Sequence, residues 1–260
     1  MPVNSEAVAD PFGASTDQPE HAIPINELFY SLQGEGKLAG VPSVFVRTSG
    51  CNLRCWFCDS YHTSWKPTHA WMDLDEIVEA VHGHEQAKHV VLTGGEPLIH
   101  DEVTTLLERL DKHGYHVTVE TNGTVFYDAP IDLVSISPKL ASSTPTPEKD
   151  PTGAGNWEER HEDRRIDLDV LARLVDTYES QLKFVVTGEA DMAEINDVVG
   201  RIRGASETVI HDSDVHLMPE GMTSERLAET RSVTADLAME HGYRYTPRLH
   251  VNLWEDAPGR

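Results

Sequence analysis

The sequence predicts an α/β fold: a mostly parallel sheet curled into a partial, open TIM-like barrel of about six β/α units. Three observations carry that expectation. Short β-type runs alternate with amphipathic helical patterns along the chain, and such alternation builds parallel sheets. The units fall short of the eight that close a full barrel. Clusters of unusual polar residues fall just after the strand-like runs, and in parallel β/α folds active sites lie at the carboxyl ends of strands.

Taken in order, residues 1–24 carry no Lys or Arg and scatter Pro, Gly and Ser, which reads as a flexible acidic tail. They lack the basic start and apolar run of a secretory signal. The remainder, 25–260, reads as one domain. "SVFVRT" (43–48) is a strand and "LDEIVEAV" (74–81) a helix. "KHVVLT" (88–93) is a strand and "DEVTTLLERLDKHG" (101–114) a helix, with Gly114 placed to cap it. "YHVTVET" (115–121), "DLVSIS" (132–137) and "SQLKFVV" (180–186) are strands, whereas "LDVLARLVDTY" (168–178) and "DMAEINDVVGRIR" (191–203) have helical spacing. "DVHLMP" (214–219) is a strand, residues 223–242 form a long helix ending at glycine, and "YRYTPRLHV" (243–251) is expected as a final strand. Residues 141–165, rich in Pro, Gly and charge, break the alternation and read as a surface insertion or lid.

Composition bounds the function. The net charge of −23 repels nucleic-acid phosphate, so no nucleic-acid partner is expected, and no apolar run is long enough to span a membrane. Acidity combined with scarce Lys, seven against fourteen Arg, fits a folded surface adapted to high salt, where the Debye length falls to about 3 Å at 1 M. A mesophilic chain that is merely acidic is the alternative. All three cysteines lie in "CNLRCWFCDS" (51–60). An odd, clustered set argues against a disulfide framework and for a reduced, cytoplasmic protein.

Cys51, Cys55 and Cys58 have the spacing C-x3-C-x2-C. Structural zinc usually takes four Cys or His ligands, and the fourth would have to be a histidine, His62 being nearest. Three metal-free buried thiols are another possibility. An iron–sulfur cluster held by thiolates fits better, with three ligated irons and a fourth left open.

This motif, with Phe57 before the last cysteine and "TGGEP" (93–97) on the next unit, resembles the radical S-adenosylmethionine (SAM) superfamily. The resemblance implies a 4Fe-4S cluster on Cys51, Cys55 and Cys58, whose open iron chelates SAM and cleaves it to methionine and a 5′-deoxyadenosyl radical. It places SAM against Phe57, Gly94, Gly95, Glu96, Ser137, Pro138, Lys139 and Lys183. The glycines lack side chains, so backbone can approach a ligand closely. "FYSLQGEGKLAGVPSVFVRTSGCNLRCWFCDS" (29–60), with "ETNGT" (120–124), "SPK" (137–139) and "RLH" (248–250), closely resembles the 7-carboxy-7-deazaguanine synthase family over roughly residues 26–251, leaving the tail and the insertion outside.

That likeness implies a ring-contracting lyase, which converts 6-carboxy-5,6,7,8-tetrahydropterin to 7-carboxy-7-deazaguanine with loss of ammonia, a step toward queuosine or archaeosine. It implies Mg²⁺ at Ser60, and substrate contacts from Leu32, Gln33, Gly34, Glu35, Arg47, Thr93 and His250. It also implies a homodimer and an external one-electron donor of ferredoxin or flavodoxin type. The residues suit a carboxypterin: Gln33 donates and accepts, Glu35 accepts from ring N–H groups, and Arg47 offers a carboxylate a bidentate fork. Ser60 stands where threonine is more usual and Val251 where lysine is commoner. A glycyl-radical-enzyme activase shares the cluster motif but needs no pterin pocket, and a non-catalytic redox module would need neither "GGEP" nor "SPK".

Overall fold

The computed structural model describes residues 19–153, 156–255, 257 and 259, with the backbone of Glu6–Ala7. The short β1 (Glu6–Ala7) precedes β2 (Ala22–Leu32), β3 (Pro42–Thr48), α1 (Tyr61–Ser64), β4 (Thr68–Asp73) and α2 (Leu74–His82). There follow β5 (His89–Gly94), α3 (Val103–Lys112), β6 (His116–Thr121), β7 (Leu133–Ile136), α4 (Glu158–Arg164) and α5 (Leu168–Thr177). The chain closes with β8 (Ser180–Val186), α6 (Met192–Ala205), β9 (Val215–Pro219), α7 (Ser224–His241), β10 (Arg244–Tyr245) and α8 (Leu249–Trp254). Apart from Glu6–Ala7, residues 1–18 of the expected tail lie outside the described residues, and β2 begins at Ala22, inside that segment.

The strands form one sheet in the order β1-β4-β2-β3-β5-β6-β7-β8-β9-β10. Pairing is parallel from β3 through to β10 and antiparallel among β1, β4, β2 and β3. The sheet has two free ends, so the barrel is open, as expected from the sequence. Helices cover the outer face in two apolar clusters. One packs Ile77, Leu106 and Leu110 of α2 and α3 against Val44, Val90 and Val117. The other packs Leu174, Ile195 and Leu237 of α5, α6 and α7 against Ile136, Phe184 and Leu217. Local chemistry agrees with the boundaries: Asp73 and Glu76 form a capping box at α2, and Gly114 (φ +76°) follows α3 where a left-handed residue ends a helix.

The sequence did not signal three strands, β1, β2 and β4, and overstated a fourth. β2 contains Pro24 and a register shift between Ile25 and Glu27. A bulge breaks period-two alternation and tolerates proline. Asn26 fills this bulge, its amide donating to Thr68 O (2.8 Å) and His62 O (3.3 Å). β4 pairs with the first residues of β2, and its apolar residues Ala70, Trp71 and Met72 are consecutive instead of alternating. The expected final strand shrinks to Arg244–Tyr245, and Leu249–Trp254 is helical instead. Pro247 has no N–H for a ladder, and Thr246 Oγ1 turns away to accept from Gly36 N (2.7 Å).

On β9, His216 is 2% exposed and neither ring nitrogen has a hydrogen-bond partner. Burial, reinforced by Arg244, Lys37 and Lys183, pushes its pKa down to about 4. Unfolded, a histidine binds its proton below about pH 6.5, so between about pH 4 and 6.5 unfolding takes up a proton and stability falls as pH falls. His216→Leu is therefore expected to match the wild type in urea denaturation at pH 7 and to become the more stable of the two as pH is lowered through that window.

Candidate active site

The carboxyl ends of the strands open on a cavity of about 470 Å³, within the range of small-molecule sites. All five strand-end clusters reach it. The cysteine loop follows β3, Gly94 and Gly95 end β5, and Thr121 and Asn122 end β6. Ser137 and Lys139 follow β7, and Glu220 and Gly221 follow β9.

Cys51 and Cys55 are buried and Cys58 is half-buried, all three lining the cavity. Burial pushes the Cys58 thiol up to about 12 and raises Cys51 and Cys55 as well. Such thiols ionise only when a metal displaces their protons. Among the described residues no three Cys, His, Asp or Glu side chains converge on a single-ion site. One tetrahedral zinc needs its sulfurs about 2.3 Å from a common point. A cubane gives each thiolate its own iron, so this donor set fits an iron–sulfur cluster and not zinc. Two bonds reach the sulfurs, from Ser64 Oγ to Cys58 Sγ (3.2 Å) and from Leu53 N to Cys51 Sγ (3.4 Å).

The glycine-rich strand end abuts this loop. A Cβ on Gly95 would sit 2.2 Å from Gly50 O and 2.8 Å from Cys51 Cβ; one on Gly94, whose φ is +148°, would meet Thr48 O at 2.4 Å. These glycines thus serve close packing of backbone on the cluster loop, beyond any approach to a ligand. Glu96 is fully buried behind the cavity wall and does not line it. Its N–H donates to Gly50 O (2.9 Å), while its carboxylate accepts from Thr121 Oγ1 (2.8 Å), Asn122 N (2.6 Å) and Leu98 N (3.1 Å). Burial pushes its pKa up to about 7 in spite of those bonds. Of "SPK", Lys139 Nζ donates to Ser137 O (2.9 Å) and Oγ (2.7 Å), and Pro138 stays out of the cavity. Phe57 lines it, edge-on to Trp56.

The opposite wall is built on β2 and β3. Leu32, Gln33, Gly34 and Glu35 line the cavity at the end of β2. Gln33 Nε2 donates to Glu120 Oε1 (3.1 Å), and Thr93 Oγ1 donates to Glu120 Oε2 (2.8 Å). Glu35 is bound by Lys183 and by Arg248 Nε (3.3 Å), and Arg248 also binds Asp59. Burial alone would raise the Glu35 pKa, but these two cations hold it well below the usual carboxylate range; Glu35 and Glu120 in turn keep Lys183 protonated against its own burial. Arg47 Nη1 donates to Ser60 Oγ (2.9 Å), with Glu27 at 3.7 Å from its Nε and the Phe29 ring at 5.7 Å. Phe29 and Phe45 stack in parallel at 4.9 Å and both face the cavity. His250 also lines it, and Gly34 makes room: a Cβ there would lie 1.9 Å from His250 Nδ1.

The cavity gathers all but Glu96 and Pro138 of the residues singled out in the sequence. It adds Asp59, Glu120 and Arg248, which lie inside the quoted motifs but had no spacing argument, and Phe29 and Phe45, invisible without β2. Among the described residues, none of 141–165 lines the cavity. The segment packs against the cysteine loop, at Arg54 and Trp56.

A sequence model of the radical SAM superfamily matches residues 45–162. A 7-carboxy-7-deazaguanine synthase from Halobacterium salinarum is 67% identical over 237 residues, covering 91% of this chain and 92% of its own. One from Rhodopirellula baltica is 40% identical, covering 92% and 90%. The crystal structure of QueE from Escherichia coli superposes with a TM-score of 0.62 at 25% identity, covering 88% of this chain and 95% of that one.

The two glycine contacts differ in kind, and so do their expected costs. Gly95→Ala drives a methyl into backbone and is expected to destabilise by about 1–3 kcal/mol in chemical denaturation. Gly34→Ala meets only a side chain and is expected to cost less stability while displacing His250.

Proposed function

The chain belongs to the 7-carboxy-7-deazaguanine synthase family of the radical SAM superfamily, and on that premise we propose how its cavity carries the family's ring contraction of 6-carboxy-5,6,7,8-tetrahydropterin to 7-carboxy-7-deazaguanine. The observation that supports it most is that the three-cysteine loop and the Gln33–Glu35–Arg47 wall face each other across one cavity. Bound at Cys51, Cys55 and Cys58, the cluster with SAM supplies a 5′-deoxyadenosyl radical. Phe57, Gly94, Gly95, Ser137 and Lys139 border the space beside those cysteines and are assigned to SAM, with Glu96 and Pro138 fixing the backbone behind them. Lys183, which the resemblance places against SAM, lines the same cavity and is tied to Glu35, so it is assigned to the border between SAM and the substrate wall.

The pterin ring suits the parallel Phe29–Phe45 face. Its amide-like edge meets Gln33, Glu120 and Thr93, already oriented by their mutual bonds. The ionised Glu35 accepts ring N–H groups. Two cations already balance its charge, so the bound ring need not do so. Arg47 is assigned to the substrate carboxylate, with His250 as a second donor and Leu32 and Gly34 as close walls. Mg²⁺ is assigned to Ser60 Oγ together with substrate oxygens and water, in keeping with its preference for few protein ligands. That hydroxyl accepts from Arg47 Nη1 (2.9 Å) and donates to Asp59 Oδ1 (3.2 Å).

Cysteine usage supports an external electron donor, since all three thiols serve one cluster and none remains for a relay; a ferredoxin- or flavodoxin-type donor is assigned to that role. A homodimer rests on the family likeness, and cytoplasmic residence on the clustered cysteines that argue against a disulfide framework; no helix among the described residues is long and apolar enough to cross a membrane. The −23 charge supports working at high salt, and unfolding in low-salt buffer is the expected sign of it.

The direct test is an anaerobic high-salt incubation of reconstituted protein with SAM, reductant, Mg²⁺ and the carboxypterin, read by mass spectrometry. Carboxydeazaguanine together with 5′-deoxyadenosine is expected; 5′-deoxyadenosine alone would reject the substrate assignment. Arg47→Ala is expected to raise KM about 10- to 100-fold, the scale of losing a charged hydrogen bond pair, and to leave the cluster's absorption unchanged.

A further inference from the structure

We propose that His161, in the insertion, is a positioning residue for the cysteine loop, setting the backbone on both sides of Cys55 and so governing how firmly the cluster is retained. The proposal rests on the cluster assignment above and goes beyond it by giving the insertion a task.

His161 lies on α4, more than a hundred residues along the chain from the loop, and is 0% exposed. Its Nδ1 accepts the backbone N–H of Arg54 (3.2 Å). A neutral ring that accepts at Nδ1 carries its proton at Nε2, and Nε2 lies 2.9 Å from Ser143 Oγ. Ser143 Oγ passes its own proton on to Leu140 O (2.6 Å). Each bond in this series fixes the direction of the next, so the tautomer follows from the geometry. The other side of Cys55 is held from the same segment: Trp56 N donates to Ser143 O (3.1 Å) and its indole to Ser142 O (2.7 Å). The N–H groups immediately before and after Cys55 thus both end on the insertion.

A second contact reinforces the first. Arg54 is 4% exposed, and its guanidinium donates to Cys51 O (2.6 Å) and Leu53 O (2.8 Å). The Trp157 ring of the insertion covers it at 4.2 Å. Arg54 therefore braces the turn between Cys51 and Cys55 from inside, and the insertion closes over it. Removing the imidazole would leave the Arg54 N–H buried without its acceptor.

The test compares wild type, His161→Ala and His161→Asn, whose side-chain oxygen takes the place of Nδ1. Each is reconstituted with iron and sulfide, and loss of the cluster's visible absorption to an added iron chelator is timed. Melting of the iron-free proteins by circular dichroism is followed in parallel. His161→Ala is expected to release iron at least about tenfold faster than wild type, with His161→Asn recovering most of the difference while both iron-free variants keep a cooperative melt. Wild-type release rates in His161→Ala, or fast release that His161→Asn does not slow, would overturn the proposal. A wild type that takes up no cluster would overturn the cluster reading itself, and this proposal with it.

Discussion

An open barrel has no ladder to join its two sides, and here a buried carboxylate spans from the β2 side to the β8 side. Glu35, at the end of β2, is bound by Lys183 of β8 and by Arg248 just before α8, and Arg248 continues to Asp59 on the cysteine loop. Further hydrogen bonds follow the same route, from Leu249 N to Gly34 O (2.9 Å) and from Gly36 N to the Thr246 side-chain Oγ1 (2.7 Å). Burying charges is costly unless each is paired, and the series of two cations and two carboxylates meets that condition without net charge. The constraint reaches the whole cavity. The loop after β2 must cross to the far edge of the sheet, the chain must leave strand conformation at Pro247 to present Arg248, and Gly34 must lack a side chain to admit His250.

Across from this tie, the cysteine loop is held from three directions. Gly95 allows the next strand's end to press on Gly50 and Cys51. Glu96 gathers Thr121 and Asn122 behind it, and the insertion takes up the N–H groups around Cys55. Buried thiols with raised pKa values cannot hold such a loop by their own charge. Before metal arrives the loop has to be shaped by hydrogen bonds and packing from its neighbours, and that is what surrounds it.

The parallel units were legible in the sequence because their strands are apolar runs between amphipathic helices, a pattern that burial on both faces produces. β2 was not legible because its bulge at Asn26 breaks the alternation and its Pro24 argues against a strand. The site was legible where chemistry requires a rare residue at fixed spacing, as with the three cysteines, Gly94–Gly95 and Gln33–Glu35. Glu120, Arg248 and Asp59 belong to partnerships that span from about 30 to more than 200 residues of sequence, and no local pattern reports such pairings. The insertion's hold on the cysteine loop was not legible for a related reason. Its Pro, Gly and charge are a loop's composition, while its three anchoring residues, Ser143, Trp157 and His161, are too sparse to produce a periodic signal.

The placement of the aromatic residues gives the molecule an optical property. Of its five tryptophans, Trp56 donates to Ser142 O, Trp65 donates to Cys55 O (2.8 Å) and Trp157 stacks on Arg54. Three indoles thus surround the loop that takes up iron, with the other two, Trp71 and Trp254, elsewhere in the chain. An iron–sulfur chromophore absorbs where indoles emit, so assembly of the cluster should dim most of the intrinsic emission. The fluorescence of this protein is thereby a built-in gauge of whether it is loaded.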